Sequence, residues 1–154
     1  MQEHKLENEI FIRRPPAAVY GYVTQPWRWH EWHPASESAT PSVHALVTGD
    51  HFEEEVSMRP IAWLPWRKRS HLRWTVIHTE SPLVWEVHGT SPTIDVKVRY
   101  QMDAAQGTRF RRTFHFTLKN WMRFVDRSVV LPRMRAQSAQ ALHNLKHKLE
   151  EAAL

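Results

Sequence analysis

Hydrophobic and polar residues alternate with a period of two along most of this chain, and the period changes near the C terminus. Alternation predicts half-buried strands, because successive side chains of a strand point to opposite faces. The predicted strands cover residues 5–13, 43–47, 51–58, 69–80, 83–88, 93–102 and 108–118. From Arg133 onward, apolar residues recur every three or four positions, which predicts one long helix with a single apolar stripe.

Two short helices are predicted between the first and second strands. Pro15-Pro16 ends the first strand and opens a helix, since proline fits the first helical turn. Pro26 opens a second, tryptophan-rich piece that Pro34 closes, and residues 35–41 have the composition of a loop. The order β-α-α-β-β-β-β-β-β-α, with antiparallel neighbours and no βαβ alternation, is that of an α+β domain.

The long helix needs a partner, because a helix with one apolar stripe is not stable alone in water. Nearly everything before it is predicted to be strand, so a curved sheet is expected to close around the helix and leave room for a cavity. Pro132 lacks an N–H group and should kink or start this helix. Leu131, Met134 and Leu142 of the stripe are predicted to be core or cavity floor.

Composition narrows the class of protein. The 154 residues predict one domain, 1–154, and a net charge of +5 is spread along the chain, so no nucleic-acid partner is predicted. The absence of cysteine excludes disulfides and thiolate metal sites. A charged N terminus and the lack of an apolar run of roughly 18 residues predict a soluble, cytoplasmic protein.

An ordered set of packing and turn residues resembles the SRPBCC superfamily, which includes START-like and polyketide cyclase/dehydratase-like proteins. The matching residues are Ile12, Pro15-Pro16, Val19-Tyr20, Val23-Thr24, Pro26, Trp29, Trp32, Pro34, Gly49-Asp50 and Gly107-Thr108. The resemblance implies a helix-grip fold: a seven-stranded antiparallel sheet wrapped around the C-terminal helix, with a cavity between them. It also implies that the tryptophans plug one end. Members bind lipids, sterols and polyketides, and some are enzymes, but no shared catalytic motif can be transferred.

Four polar residues fall on strand faces that are otherwise apolar: Asn8, Glu54, His78 and Arg112. A buried charge needs a partner, so Glu54 and Arg112 are hypothesised to pair across the cavity. Three interpretations stay open: the polar end of a ligand pocket, an acid/base site, or a structural role as a barrel-rim position or an ion pair. The predicted ligand-binding set is Glu54, Val56, Met58, Leu72, Trp74, Val76, His78, Trp85, Val96, Val98, Tyr100, Arg112, Phe114, Phe116, Met134 and Leu142.

The segment from Arg59 to Arg69 is a second candidate site, because two prolines prevent a regular central strand there. It places large apolar residues beside three consecutive cations. Three interpretations stay open: a lid over the cavity entrance, a transient contact with a membrane surface, or ordinary core. The apolar residues are Ile61, Trp63, Leu64 and Trp66.

His30 and His33 have the i, i+3 spacing of two metal ligands on a helix, but no third ligand stands at a familiar offset, so no metal or other cofactor is predicted. The leading hypothesis is a monomer or homodimer that binds an apolar or amphipathic small molecule in its cavity. A polyketide cyclase/dehydratase-like enzyme is the alternative. A basic module for membrane surfaces or nucleic acid is weaker, since no nucleic-acid motif is present.

Overall fold

Seven antiparallel strands form one curved sheet in the order β1-β7-β6-β5-β4-β3-β2. The computed structural model describes residues 3–58, 68–124 and 130–151. The strands are β1 Glu3–Ile12, β2 Ser36–Ala39, β3 His51–Met58, β4 Lys68–Glu80, β5 Val84–Thr90, β6 Ile94–Ala104 and β7 Thr108–Leu118. The helices are α1 Pro16–Val23 and α2 Leu131–Glu151, with 3₁₀ helices at Pro26–Glu31 and Asn120–Phe124. The predicted α+β helix-grip architecture is confirmed.

The second strand lies earlier in the chain than its sequence pattern predicts. Residues 43–47 are not a strand, and Ser36–Ala39, expected to be a loop, pairs with β3 instead. Val43 and Val47 are exposed, whereas Leu46 is buried in the hydrophobic core. The alternating pattern of residues 43–47 therefore comes from a single buried side chain in an irregular segment. The prediction of a strand at this position was wrong.

A bulge in β4 reverses the faces of its last residues. Val76 pairs with Val87 and His78 pairs with Glu86, so Ile77 is an extra residue on β4. An extra residue shifts the alternation by one position. His78 therefore lies on the exposed surface, where its Nε2 is 3.1 Å from the Glu80 carboxylate, and its predicted inward orientation was wrong.

Helix α2 packs one stripe against the concave face of the sheet. Pro132 lies in its first turn, as expected for a residue that starts a helix. Ser138, Leu142, Leu145 and Leu149 are buried along the stripe. This packing holds the helix across the interior of the curved sheet, which leaves space beside its first half.

The C-terminal end of α2 is clamped to the end of β1. The backbone N–H of Arg13 donates to Glu150 Oε2 at 3.0 Å, and Lys146 Nζ donates to the same oxygen at 2.6 Å. Arg14 Nη1 donates to the carbonyl oxygen of Leu149 at 2.9 Å. Burial alone would raise the pKa of Glu150, but the hydrogen bonds from Lys146 and Arg13 outweigh it and lower the pKa to about 2. The clamp fixes the position of α2 relative to the sheet.

None of the helices in the described parts of the chain combines the length and apolar character that crossing a bilayer requires.

Candidate functional site

A cavity of about 140 Å³ lies between the concave face of the sheet and the first half of α2. Its walls are mostly apolar, because the strands turn their hydrophobic faces inward. Ten of the predicted residues line it: Glu54, Val56, Leu72, Trp74, Val96, Val98, Tyr100, Arg112, Phe114 and Met134. The volume is similar to that of a protein cavity of about 150 Å³ that accommodates benzene.

Two polar lining residues lie at the end of the cavity nearest the β6–β7 turn. Tyr100 on β6 pairs directly with Arg112 on β7. Two residues further toward the β6–β7 turn, Met102 and Phe110 are fully buried and do not line the cavity. The cavity therefore presents a hydroxyl and a guanidinium where these two strands enter the closed core.

Trp29 closes this end from the side of the first 3₁₀ helix. Its ring makes edge-to-face contacts with Phe52 at 5.6 Å, Trp74 at 5.9 Å, Trp85 at 6.0 Å and Tyr100 at 6.4 Å between centroids. Each such contact contributes about 0.5–1.5 kcal/mol beyond the burial of area. Its indole N–H donates to the backbone oxygen of Val23 at 2.8 Å, which fixes the ring.

Glu54 is a buried carboxyl on the β3 wall of the cavity, with only 5% of its surface exposed. Trp74 Nε1 donates to its Oε1 at 3.0 Å. Burial raises the pKa of Glu54 to about 7, against the opposing effects of the nearby Ser36 hydroxyl, the Trp74 N–H and the charge of Arg112. The carboxyl can therefore accept or release a proton near neutral pH.

Arg112 lies on the β7 wall and is equally buried, at 5% exposure. Its Nη1 donates to Ser138 Oγ at 3.4 Å, and Ser138 in turn donates to Asn8 Oδ1 at 2.6 Å. The guanidinium also lies 5.0 Å from the centroid of the Phe114 ring. This chain of contacts joins β7, α2 and β1 and holds the guanidinium at the cavity wall.

The hypothesised pair between Glu54 and Arg112 does not form as a direct contact. Among the described residues, no ion pair joins the two side chains, although the charge of Arg112 does act on the pKa of Glu54. Each is anchored on its own side of the cavity, Glu54 by Trp74 and Arg112 by Ser138. The prediction of a direct pair was wrong.

His33 is a cavity residue that the sequence pattern did not identify. Its Nδ1 accepts a hydrogen bond from the Ala35 backbone N–H at 3.1 Å, so Nε2 carries the proton of the neutral ring. Burial, followed by the positive charge of Arg112, lowers the pKa of His33 well below its usual value. The ring is therefore a neutral hydrogen-bonding group of the cavity.

Five of the predicted ligand-binding residues lie elsewhere. His78 is on the surface beyond the β4 bulge. The other four are packed in the hydrophobic core and do not line the cavity: Val76, Trp85, Phe116 and Leu142. The side chain of Met58 and the loop residues Ile61, Trp63, Leu64 and Trp66 lie outside the described parts of the structure.

Several lining residues were missed for identifiable reasons. His33 and Ala35 follow the first 3₁₀ helix, where no period of two or 3.6 exists to show which side chain faces inward. Ser138 had a detectable signal, since it is a polar residue at a position of the apolar helical stripe. Leu6 and Ile94 are apolar strand residues that the prediction did not include in the wall.

The residues that the structure describes contain no group of three or more His, Cys, Asp or Glu side chains arranged to hold a metal ion.

Known structures with the same architecture come from diverse proteins. TTHA0849 from Thermus thermophilus superposes with a TM-score of 0.71 at 14% identity, covering 98% of this chain and 100% of that one. The Zhui aromatase/cyclase from Streptomyces sp. R1128 gives 0.70 at 10% identity, covering 99% and 97%. Ara h 8.0201 gives 0.62 at 15% identity, covering 96% and 98%. At these identities the similarity establishes the fold alone.

The comparison with sequence families identifies the family of the chain as well as its fold. No curated protein matches the chain. The profile of the family described as "Polyketide cyclase / dehydrase and lipid transport" matches residues 3–150, which is nearly the whole sequence. The chain therefore belongs to the polyketide cyclase / dehydrase and lipid transport family.

Proposed function

We propose that the protein binds a small amphipathic molecule in the cavity between the sheet and α2. The observation that carries the proposal is the cavity itself: it has a volume of about 140 Å³, and its mostly apolar lining includes a few polar groups, among them Glu54 and Arg112. Small-molecule sites have this composition, with apolar walls that supply affinity and polar groups that fix orientation. Family membership supports the same function, because its description includes lipid transport.

The volume restricts the size of the ligand. A cavity of about 140 Å³ is comparable to one that holds a single benzene ring, and many drug-sized sites exceed 300 Å³. We therefore expect a molecule with one or two small rings, or the end of a longer molecule. Val98 and Phe114, which are adjacent on β6 and β7, would contact its apolar body.

Filling the cavity with a protein side chain should abolish binding. We expect indole, a small amphipathic probe, to bind the wild-type protein with a stoichiometry of one in isothermal titration calorimetry. Val56 lines the cavity, so the added ring of Val56→Phe should occupy the ligand's space and weaken binding by at least about tenfold.

Ile77→Phe is the matched control, because it makes a similar change on β4 at an exposed position outside the cavity. It should leave the affinity for indole unchanged. Equal binding of indole by the two variants, both shown to be folded by circular dichroism, would contradict a site in this cavity.

Acid/base catalysis is a second candidate function, favoured by one specific observation. Glu54 faces the cavity with a pKa of about 7, which suits a general base at physiological pH. Its carboxylate would remove a proton from the carbon next to a ligand carbonyl. Arg112 would stabilise the negative charge that develops on the carbonyl oxygen. The similarity in fold to an aromatase/cyclase is compatible with such chemistry.

Proton exchange tests this second function without knowledge of the natural substrate. We expect the protein to accelerate exchange of the methyl protons of acetophenone in D₂O, followed by NMR. Glu54→Gln keeps the shape of the side chain but removes the base, so it should slow the catalysed exchange by at least about tenfold. Exchange at the same rate with wild type, Glu54→Gln and no protein would exclude Glu54 as a base toward this ketone.

A further inference from the structure

Arg112 carries a positive charge, and no described residue forms an ion pair with it. A guanidinium does not lose its proton in a protein, and this one is only 5% exposed. No described carboxylate forms an ion pair with it, and its Nε atom is buried without a hydrogen-bond partner among the described residues. Burial of an unpaired charge is strongly unfavourable. The feature therefore calls for a partner that the described residues do not supply.

The neighbours of Arg112 orient the guanidinium without balancing its charge. Ser138 accepts a hydrogen bond at 3.4 Å, the Phe114 ring lies at 5.0 Å, and the Tyr100 hydroxyl is close enough to interact. All three are neutral, because burial raises the pKa of the Tyr100 hydroxyl further above its usual value. The result is a fixed, positively charged donor at the wall of a cavity.

Glu54 does not take the role of counterion. Its Oε1 accepts the hydrogen bond of Trp74 on the opposite wall, and it forms no ion pair with Arg112. Because the pKa of Glu54 is about 7, the group is mostly protonated in mildly acidic solution and then carries no charge. His33, a further titratable group near Arg112, is also neutral. The described groups around Arg112 therefore carry a net positive charge below neutral pH.

We propose that the ligand of this cavity carries an oxyanion, a carboxylate or an ionised phenol, which binds Arg112 while its apolar body lies along the cavity walls. The inference rests on the proposed function, since it names the chemical class of the same ligand. A guanidinium and a carboxylate match in geometry and form strong charge-assisted hydrogen bonds. Val98 and Leu72 line the apolar part that the rest of the molecule would occupy.

A matched pair of probes separates charge from shape. Indole-5-carboxylate and indole-5-carboxamide have the same ring and nearly the same volume, but only the first is an anion. At pH 6, where Glu54 is mostly protonated, we expect calorimetry to show at least about tenfold tighter binding of the carboxylate to the wild-type protein. Equal or weaker binding of the carboxylate would overturn the proposal.

Substitution of Arg112 assigns the preference to this residue. Arg112→Met should abolish the preference for the carboxylate while binding of the carboxamide persists. Should this variant fail to fold, Ser138→Ala removes only the anchor of the guanidinium and should reduce the preference for the carboxylate. Retention of the full preference in folded Arg112→Met would overturn the assignment.

Unsubstituted indole distinguishes failure of this inference from failure of the proposed function. If indole or the carboxamide binds and the carboxylate does not, the cavity is a binding site, but the inference that its ligand carries an oxyanion is wrong. If none of the three probes binds, the proposed function fails for molecules of this size, and the inference fails with it.

Discussion

Gly89→Ala should lower the free energy of unfolding by about 3 kcal/mol, from overpacking and the loss of one buried hydrogen bond. Gly89 on β5 pairs with Trp74 on β4, and a Cβ atom added there would lie 2.7 Å from two carbons of the indole. The ring cannot easily yield, because Trp74 is buried and also contacts Trp29 and Phe52. Urea unfolding followed by circular dichroism measures the loss.

The same displacement should reach the functional site. Trp74 Nε1 donates to Glu54, so a shifted ring leaves a buried carboxyl with fewer partners. In a double-mutant cycle, Trp74→Leu should relieve the clash, so the combined loss with Gly89→Ala should be smaller than the sum of the single losses. If the losses in the free energy of unfolding are additive, Gly89 is not required to make room for the Trp74 ring.

Gly21→Ala is the control for this substitution. Gly21 lies in α1 and an added Cβ would have no atom within 4 Å. Alanine is favoured over glycine in a helix, so this variant should gain about 0.5–1 kcal/mol. The same chemical change is thus expected to act in opposite directions at the two positions.

Glu54 should make the protein less stable as the pH rises. Below about pH 4 the carboxyl is mostly protonated in both the folded and the unfolded state, so it has little effect on stability. As the pH rises toward 7, the unfolded chain ionises this group while the folded protein does not, so folding is progressively disfavoured. A pKa of about 7 against an unfolded value of about 4.3 corresponds to a loss of about 3 kcal/mol between pH 4 and pH 8.

Glu54→Gln isolates this contribution from those of the other titrating groups. Urea unfolding at intervals between pH 4 and pH 8 should give wild type and variant similar stability at low pH. At pH 8 the variant should be more stable than wild type by about 3 kcal/mol. Glu37→Gln, which removes a carboxyl at an exposed position on β2, is the control for the loss of one negative charge. If the difference in free energy of unfolding between wild type and Glu54→Gln is the same at every pH, the raised pKa of Glu54 is contradicted.

Regular strands made much of the cavity wall predictable from sequence. The predicted strand 108–118 agrees with β7, and its alternation places Arg112 and Phe114 on the inner face. The pairing of β6 with β7 runs without interruption from Ile94 to Ala104. Where strand pairing has no bulge, every second side chain faces the same side of the sheet. The alternation of the sequence is then sufficient to identify the inward-facing residues.

Prediction failed where the backbone departs from a period. The bulge at Ile77 adds one residue, and alternation alone cannot show where the count changes. His33 follows a 3₁₀ helix, so no pattern indicated that it faces the cavity. On α2 the stripe was predicted, but its period does not distinguish Met134, which lines the cavity, from Leu142, which packs in the core.

Pairing of the first strand with the last has a consequence for synthesis on the ribosome. Glu9 on β1 contacts Arg111 on β7 although 102 residues separate them in sequence. Chain synthesis proceeds at about 5–20 residues per second, so β7 is synthesised roughly 5–20 s after β1. During that interval its N–H and C=O groups have no strand to pair with. The charged side chains of Glu7 and Glu9 on one face of β1 should then discourage pairing with other nascent chains, before they form ion pairs with β7 in the finished protein.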